Sequence, residues 1–344
     1  MKDEGVRRVL VVRSDKLGDV VLTLPMAGAI KKSQPTIAVS FLVNNYTREM
    51  AERCPQVSEV ISIAGNEGAF KLSRIMRRAK ADAVFIPSPR FNLALAAFLA
   101  GIPIRAGTAY RWYSFLFNRR LKAHRREGKY HEAEHNLRML SEIGIEADLA
   151  TLPTLLIRSD DHIRVDDWLI QRFGKTSTRY AVLHIPTGGS SMDWSQQSFV
   201  ELAMDIEQEF GLQIVLTGTP ADQGMLESFR SLIPNAKLFI GFSLPELAAL
   251  LSRAKIVVAN ATGPVHLAAA LGTPTAGLFP LPRAIAKERW GLRGNRVRSI
   301  APVALPECPN CNNCSCMERI MVADVVQSVR ELLAENTAEK VLSH

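Results

Sequence analysis

Residues 13 to 25, RSDKLGDVVLTLP, place two carboxylates, Asp15 and Asp19, around a single glycine, Gly18, between the apolar run VLVV (9 to 12) and a segment patterned as a helix. A strand that turns tightly into a helix is where open α/β proteins build binding loops. Loops that hold phosphate there are glycine-rich, because bare backbone N–H groups do the holding. This turn carries acid instead. A hydroxyl is a weak nucleophile at neutral pH, and a positioned carboxylate that takes its proton during attack contributes about 10²- to 10⁴-fold in rate. Asp19 stands at the helix start, where the dipole favours its ionised form and leaves it ready to accept a proton, though as a weak base. Asp15, four residues earlier in the same turn, reads as a residue that orients Lys16 or shapes the loop.

A second group of residues suits an anion. In NATGPVH (260 to 266) an apolar run hands over to a helix, so the N–H groups that begin at Gly263, with the Thr262 hydroxyl, could grip a diphosphate. His266 lies one turn in, within reach of the same anion. The blander account of these residues is an N-cap at Thr262 and a packing role for His266. PTGGSSMDW (186 to 194) adds a glycine-rich anion loop at Gly188, Gly189 and Ser190. Asp222, after TGTPA, is placed either to accept bonds from ribose hydroxyls or to cap a helix.

The elements that must position these residues alternate. RRVLVVRS (7 to 14), TIAVSFLV (36 to 43), VSEVISI (57 to 63) and AVFIP (83 to 87) read as buried parallel strands, with helices at about 19 to 33, 45 to 54 and 69 to 81. HEAEHNLRMLSEIGI (131 to 145) is a further helix. Its His131 and His135 are spaced i, i+4, but without an H-E-x-x-H pattern they read as a capping or solvated pair rather than zinc ligands. TLPTLLI (151 to 157) and a helix of about 160 to 173 follow. A second series then runs from YAVLHIP (180 to 186) through QIVLTG, AKLFIG and KIVVAN to PTAGLFP (274 to 280), with helices at about 195 to 209, 220 to 231, 244 to 253 and 263 to 271. ADVVQSVRELLAEN (323 to 336) closes the chain. Two αβ series of similar length predict two Rossmann-like domains, 1–160 and 175–344, with parallel sheets facing a central cleft and the last helix packing back on the first domain.

The chain of 344 residues is long enough for two such domains, and 47% hydrophobic content supports a core in each. Its opening MKDEGVRR gives no secretory signal, and the longest greasy stretch, residues 91 to 104, is too short to span a membrane. The net charge of +8 is lopsided: residues 1 to 175 carry 28 Lys and Arg against 19 Asp and Glu, the remainder 14 against 15. Much of the excess sits in RAGTAYRWYSFLFNRRLKAHRREGKYH (105 to 131), where basic residues alternate with Trp112, Tyr113, Phe115 and Phe117. Such a segment suits a phosphorylated acceptor, an acidic membrane face or nucleic acid; the alternative is a solvated basic loop. Cys308, Cys311, Cys314 and Cys316 crowd into CPNCNNCSC, a spacing too cramped for a zinc ribbon, which leaves reduced thiols as the first reading and a metal site as the alternative.

RSDKLGDVVLTLP, LHIPTGGSSMDW, VLTGTPADQ and SRAKIVVANATGPVHLAAALGTPTAGLF, in this order, closely resemble glycosyltransferase family 9, the ADP-heptose:lipopolysaccharide heptosyltransferases. The resemblance implies a GT-B fold and inverting transfer of a heptose, or a related sugar, from a nucleotide-diphosphate donor to the inner core on lipid A. It places the reaction at the cytoplasmic face of the inner membrane, with the nucleotide sugar as substrate and neither cofactor nor metal. By position it makes Asp19 the catalytic base and assigns donor binding to Thr187, Asp222, Thr262, Gly263 and His266. Three positions depart from the family pattern: Met192 where some members have Lys, Ala261 where they have Asp, and Asp222 for the more usual Glu. They bear on the identity of the donor rather than on the class of reaction.

The acceptor is then an anionic lipid A core, and residues 105–131 gain a specific role as a peripheral membrane contact. Readings from other classes are a nucleotide-sugar epimerase, which would need several acid/base groups where the sequence offers one, a family 9 transferase using another donor sugar, and a nucleic-acid-binding protein. The last lacks any helix-turn-helix or RNA-binding signature, so no nucleic-acid partner is assigned.

Overall fold

The computed structural model describes residues 5–125, 128–304 and 315–342, with side chains to Glu335. It divides into two compact units, Met1–Leu156 and Ile157–His344. The division falls just before the boundary expected from sequence.

In the first unit the chain runs β1 (Arg8–Arg13), α1 (Leu17–Val21), α2 (Pro25–Ser33), β2 (Ala38–Asn44), α3 (Arg48–Glu52), β3 (Glu59–Ile63), α4 (Ala69–Arg78), β4 (Ala83–Phe85), α5 (Phe91–Leu99), β5 (Ile104–Thr108), β6 (Arg119–Leu121) and α6 (Glu132–Arg138). The strands form one parallel sheet in the order β3-β2-β1-β4-β5-β6. Alternate residues of a strand face opposite sides. Val9 and Val11 accordingly pack into one apolar cluster with Val39, Phe41 and Phe85, while Leu10 and Val12 join the cluster on the other face with Leu42 and Val84. A sheet covered on both faces needs strands that are apolar throughout, which is why VLVV shows no alternation.

The helix expected over 19 to 33 is two helices. Pro25 has no N–H to continue the ladder and starts α2 afresh, and Asn136 Nδ2 secures the joint by donating to the Leu22 carbonyl (3.2 Å) and to Thr23 Oγ1 (3.0 Å). The basic segment 105–131 is not simply a surface loop. It supplies most of β5 and all of β6, and it buries Tyr113, Leu116 and Phe117 in the core. Its period was obscured because β6 is a three-residue edge strand made mostly of arginine. The His131 imidazole caps α6, accepting from Ala133 N–H (3.1 Å), while Glu134 returns a bond to the His131 N–H.

The second unit runs α7 (Ser159–Phe173), β7 (Tyr180–His184), α8 (Gln196–Phe210), β8 (Gln213–Gly218), α9 (Gln223–Leu232), β9 (Lys237–Ile240), α10 (Leu244–Arg253), β10 (Ile256–Asn260), α11 (Gly263–Ala270), β11 (Thr275–Leu278), α12 (Lys287–Trp290), β12 (Val297–Ile300) and α13 (Val322–Leu342). Its parallel sheet has the order β12-β11-β10-β7-β8-β9. Read from the other edge this is the winding of the first sheet again, the doubly wound Rossmann order. Strand β12 and the short α12 were not anticipated. Helix α7, left between the two expected domains, belongs to this unit: Trp168 packs edge-on against Phe239, and Asp166 pairs with Arg253 of α10.

The closing helix, expected to reach back to the first domain, sends its described apolar side chains elsewhere. Val325, Val326, Val329 and Leu332 lie in the second unit's own core, and Arg330 pairs with Glu209 of α8 (2.7 and 2.9 Å). Among the described residues no helix is long and apolar enough to cross a membrane.

Candidate active site

Each sheet reverses its winding direction once, between β1 and β4 in the first and between β7 and β10 in the second. Ligands of open α/β sheets bind beyond the carboxyl ends of the strands at such a point. The acid turn follows β1, and the two anion loops follow β7 and β10.

In the first unit the acid turn is organised by a residue that the motif contains but that carries no chemistry of its own, Arg13. It is the last residue of β1 and only 4% exposed. Its guanidinium bonds Asp19, pairs through Nε with Asp15 (3.1 Å) and donates through Nη1 to Glu132 (3.2 Å). Glu132, at the start of α6, is buried and also bonds Arg125. Burial by itself would lower the proton affinity of Arg13, but Asp19, then Glu132 and Asp15, reverse this and hold it above the usual guanidinium range.

Asp19 sits in the first turn of α1, 19% of its side chain exposed, and among the described residues Arg13 alone bonds its carboxylate. The Thr23 hydroxyl donates to the Asp19 carbonyl (2.7 Å), tying α1 to its C-terminal joint. Asp15 pairs with Arg13 and also shapes the loop. It reaches across to the loop after β4, accepting from Arg90 (2.5 Å) and from the Ser88 hydroxyl (3.3 Å). It shapes the switch point by bridging its two strands. Of this constellation the sequence showed the two aspartates. Nothing in RSDKLGD singles out Arg13, and Arg125, within the basic segment 105–131, is paired with Glu132 inside the unit.

In the second unit, β7 ends at His184, whose Nδ1 lies 2.9 Å from Thr217 Oγ1 at the end of β8. Burial pushes this imidazole down to about 4, against an upward pull from Asp222, so it is neutral near pH 7. The loop 185–194 then turns at Thr187. Gly188 and Gly189 have φ of +52° and +69°, and Ser190 N–H donates to the Thr187 carbonyl (3.0 Å), which closes a tight turn of the type that needs two left-handed residues. Both glycines are exposed.

Asn260, fully buried at the end of β10, bonds both ends of this loop, the Ile185 carbonyl (2.8 Å) and the Trp194 N–H (3.2 Å). Thr187, Gly188, Gly189 and Ser190 on one strand end are thereby held to the strand that carries Thr262, Gly263 and His266. Thr262 does not cap α11 with its side chain; its hydroxyl donates back to the Asn260 carbonyl (3.1 Å). His266 is buried one turn in, its ring 6.4 Å from that of Phe279. Asp222 lies after β8, where its Oδ2 accepts from the Thr219 N–H (2.8 Å) and hydroxyl (2.7 Å), the capping arrangement.

Two of the departures noted in the sequence are apolar packing positions. Met192 rests on the second unit's core with Sδ 4.0 Å from Cys316 Sγ, and Ala261 packs beside Ala259, Val265 and Phe279. Cys308, Cys311 and Cys314 lie outside the described residues. Among the described residues no group of three or more His, Cys, Asp or Glu side chains is placed to hold a metal.

The family model for glycosyltransferase family 9 (heptosyltransferase) matches residues 69–316. Lipopolysaccharide heptosyltransferase 2 of Escherichia coli is 23% identical over 288 residues, covering 79% of this chain and 82% of its own. The fold is shared with a glycosyl transferase family 9 structure from Veillonella parvula (TM-score 0.80, 19% identity, 97% and 99% of the two chains). It is also shared with E. coli ADP-heptose lps heptosyltransferase II (TM-score 0.79, 20% identity, 96% and 99%).

Replacing Arg13 by Met strands the Glu132 carboxylate, 1% exposed, with fewer partners and removes the bond to Asp19. Breaking a buried pair from one side costs about 3–5 kcal/mol, so the urea midpoint of Arg13→Met falls sharply, and adding Glu132→Gln recovers part of the loss. His184 gives a pH signature. The unfolded imidazole takes up a proton near 6.5 and the folded one only near 4, so stability falls as pH drops through that window and levels off below it. The full effect is on the order of 3 kcal/mol, and urea titrations of His184→Gln between pH 7 and 4 show a flatter curve than the parent.

Proposed function

Because the chain belongs to glycosyltransferase family 9, and is a glycosyltransferase, we propose that it transfers a heptose, with inversion, from ADP-heptose to the inner core of lipopolysaccharide. The observation that carries this reading is the Asp19 carboxylate at a switch-point strand end, fixed by a buried arginine and still partly open to solvent. The acceptor oxygen bonds the anomeric carbon as the carbon–oxygen bond to the diphosphate breaks. The hydroxyl proton passes to Asp19, and the bonding pair leaves with the nucleotide diphosphate.

Arg13 holds the Asp19 carboxylate in place at the strand end, and the proton moves late, once the departing nucleotide has made the hydroxyl acidic. The departing negative charge suits the N–H groups around Thr187–Ser190 and the start of α11, with Thr262, Gly263 and His266 beside them. Asp222, committed on one oxygen to Thr219, has its other oxygen for a ribose hydroxyl. No metal or cofactor enters these steps. Asp19→Asn lowers kcat by about 10²- to 10⁴-fold and leaves ADP affinity by calorimetry unchanged; a variant that turns over normally sinks the assignment. Thermal-shift screening against ADP-, UDP- and GDP-linked sugars identifies the donor, the ADP sugar giving the largest shift.

The acceptor we propose is the anionic lipid A core, reached at the cytoplasmic face of the inner membrane. What supports a peripheral membrane contact is the surface that residues 105–131 and the start of α5 present: Trp112 and Phe115 are 73% and 66% exposed, Trp112 stacks on Phe91 (4.8 Å), and Arg111 and Arg120 are exposed among them. Aromatic residues beside cations suit a headgroup layer. At about 1 kcal/mol per cation, Arg111→Gln with Arg120→Gln weakens binding to vesicles containing anionic lipid by roughly thirtyfold, measured by sedimentation at fixed salt. Arg125, paired with Glu132, is left intact in this test.

A further inference from the structure

The loop 186–193 leaves β7 after Ile185 and returns to α8 at Trp194, so neither the Ile185 carbonyl nor the Trp194 N–H finds a partner in a strand ladder or a helix. Both are met by the carboxamide of Asn260. One partner is only an acceptor and the other only a donor, so each end of the amide is used in the one orientation that satisfies both. Such a side chain, fully buried and bonded at both ends, is a fixed strut, and removing it leaves two buried backbone groups unpaired.

The strut ties the loop to the strand that carries the other half of the anion site. Asn260 is followed by Ala261, whose N–H donates to the Leu278 carbonyl (3.0 Å), and by Thr262, whose hydroxyl returns to the Asn260 carbonyl. The outgoing end of the loop is anchored further, by the Trp194 indole N–H on the Ile320 carbonyl (3.0 Å) and by Met192 on the core. The incoming end, at Ile185, rests on Asn260.

We infer that Asn260 is a positioning residue for donor binding: it holds the Thr187–Ser190 turn beside the start of α11, so that the N–H groups of both are aligned before a nucleoside diphosphate arrives. The inference rests on the donor reading above. Ordering a loop at the moment of binding weakens affinity, and a loop already ordered avoids that loss. Asn260 itself touches no donor atom in this account; it acts through the loop.

The test compares Asn260→Ala and Asn260→Ser with Tyr180→Phe, which removes a different buried hydrogen bond of the same sheet, from the Tyr180 hydroxyl to the Leu250 carbonyl (2.7 Å), at the far end of β7. In Asn260→Ala the Kd for ADP rises about tenfold or more, and the donor KM rises with it, while kcat at saturating donor stays within about twofold. Hydrogen exchange of the ligand-free protein shows the amides of 186–194 exchanging about tenfold faster or more, with the sheet strands unchanged. Asn260→Ser, able to keep one of the two bonds, falls between and serves if the alanine variant does not fold. Tyr180→Phe lowers Tm without moving ADP affinity or loop exchange.

Unchanged ADP affinity or unchanged loop exchange in both Asn260 variants overturns the inference, as does an equal loss of affinity in Tyr180→Phe. A parent protein that binds none of ADP, UDP and GDP overturns the donor reading and this role with it. That outcome is told apart from the others because it is seen before any substitution is made.

Discussion

A guanidinium does not give up its proton inside a protein, so Arg13, buried at the end of β1, must be surrounded by negative charge wherever the chain finds it. Three carboxylates meet that requirement, and each ties a different part of the first unit to the strand end. Asp19 fixes α1, Asp15 the loop after β4 through Arg90 and Ser88, and Glu132 the start of α6 more than a hundred residues along the chain. The geometry of the proposed base is thus a by-product of satisfying a cation. Because Glu132 arrives so late, the acid turn cannot take its final shape until α6 has docked, and Asn136 of that helix closes the α1–α2 joint as well.

The two units repeat one winding but solve their switch points in opposite ways. The first uses full charges, Arg13, Arg90 and Arg125 against Asp15, Asp19 and Glu132. The second uses neutral groups: a His184 that burial keeps unprotonated, the Asn260 carboxamide, hydroxyls and peptide N–H groups. The contrast fits the chemistry each would face. A base that must accept a proton needs a charge held in place, whereas a diphosphate brings its own charge and needs oriented dipoles that cost little to rearrange.

The winding was legible because buried parallel strands are short, β-branched and regularly spaced, and the ends of VLVV, YAVLHIP and KIVVAN located the loops that matter. What was not legible depended on contacts distant in sequence. Nothing local to Arg13 marks it as buried, since an arginine at a strand end is ordinarily solvated, and its pairing with Glu132 spans 119 positions. β6 was missed because Arg119, Arg120 and Leu121 carry no apolar period, and the placement of Val325, Val326, Val329 and Leu332 of α13 in the second unit's core was not legible because an apolar stripe does not name the surface it will meet. The N-cap alternative for Thr262 rested on its residue type, but its hydroxyl turns backward to the Asn260 carbonyl, a choice set by the strand end rather than by propensity.

The turn at Gly188 and Gly189 has a consequence for how this site tolerates change. A grip made of peptide N–H groups is supplied by every residue except proline, so most substitutions in the loop remove no donor. They fail or succeed on conformation alone. With two adjacent residues in the left-handed region, where a side chain costs roughly 1–2 kcal/mol each, sequence drift is confined to the positions flanking the glycines. Side chains around the turn can therefore change while its backbone stays as it is, and under the proposed donor reading sugar specificity could shift without rebuilding the turn.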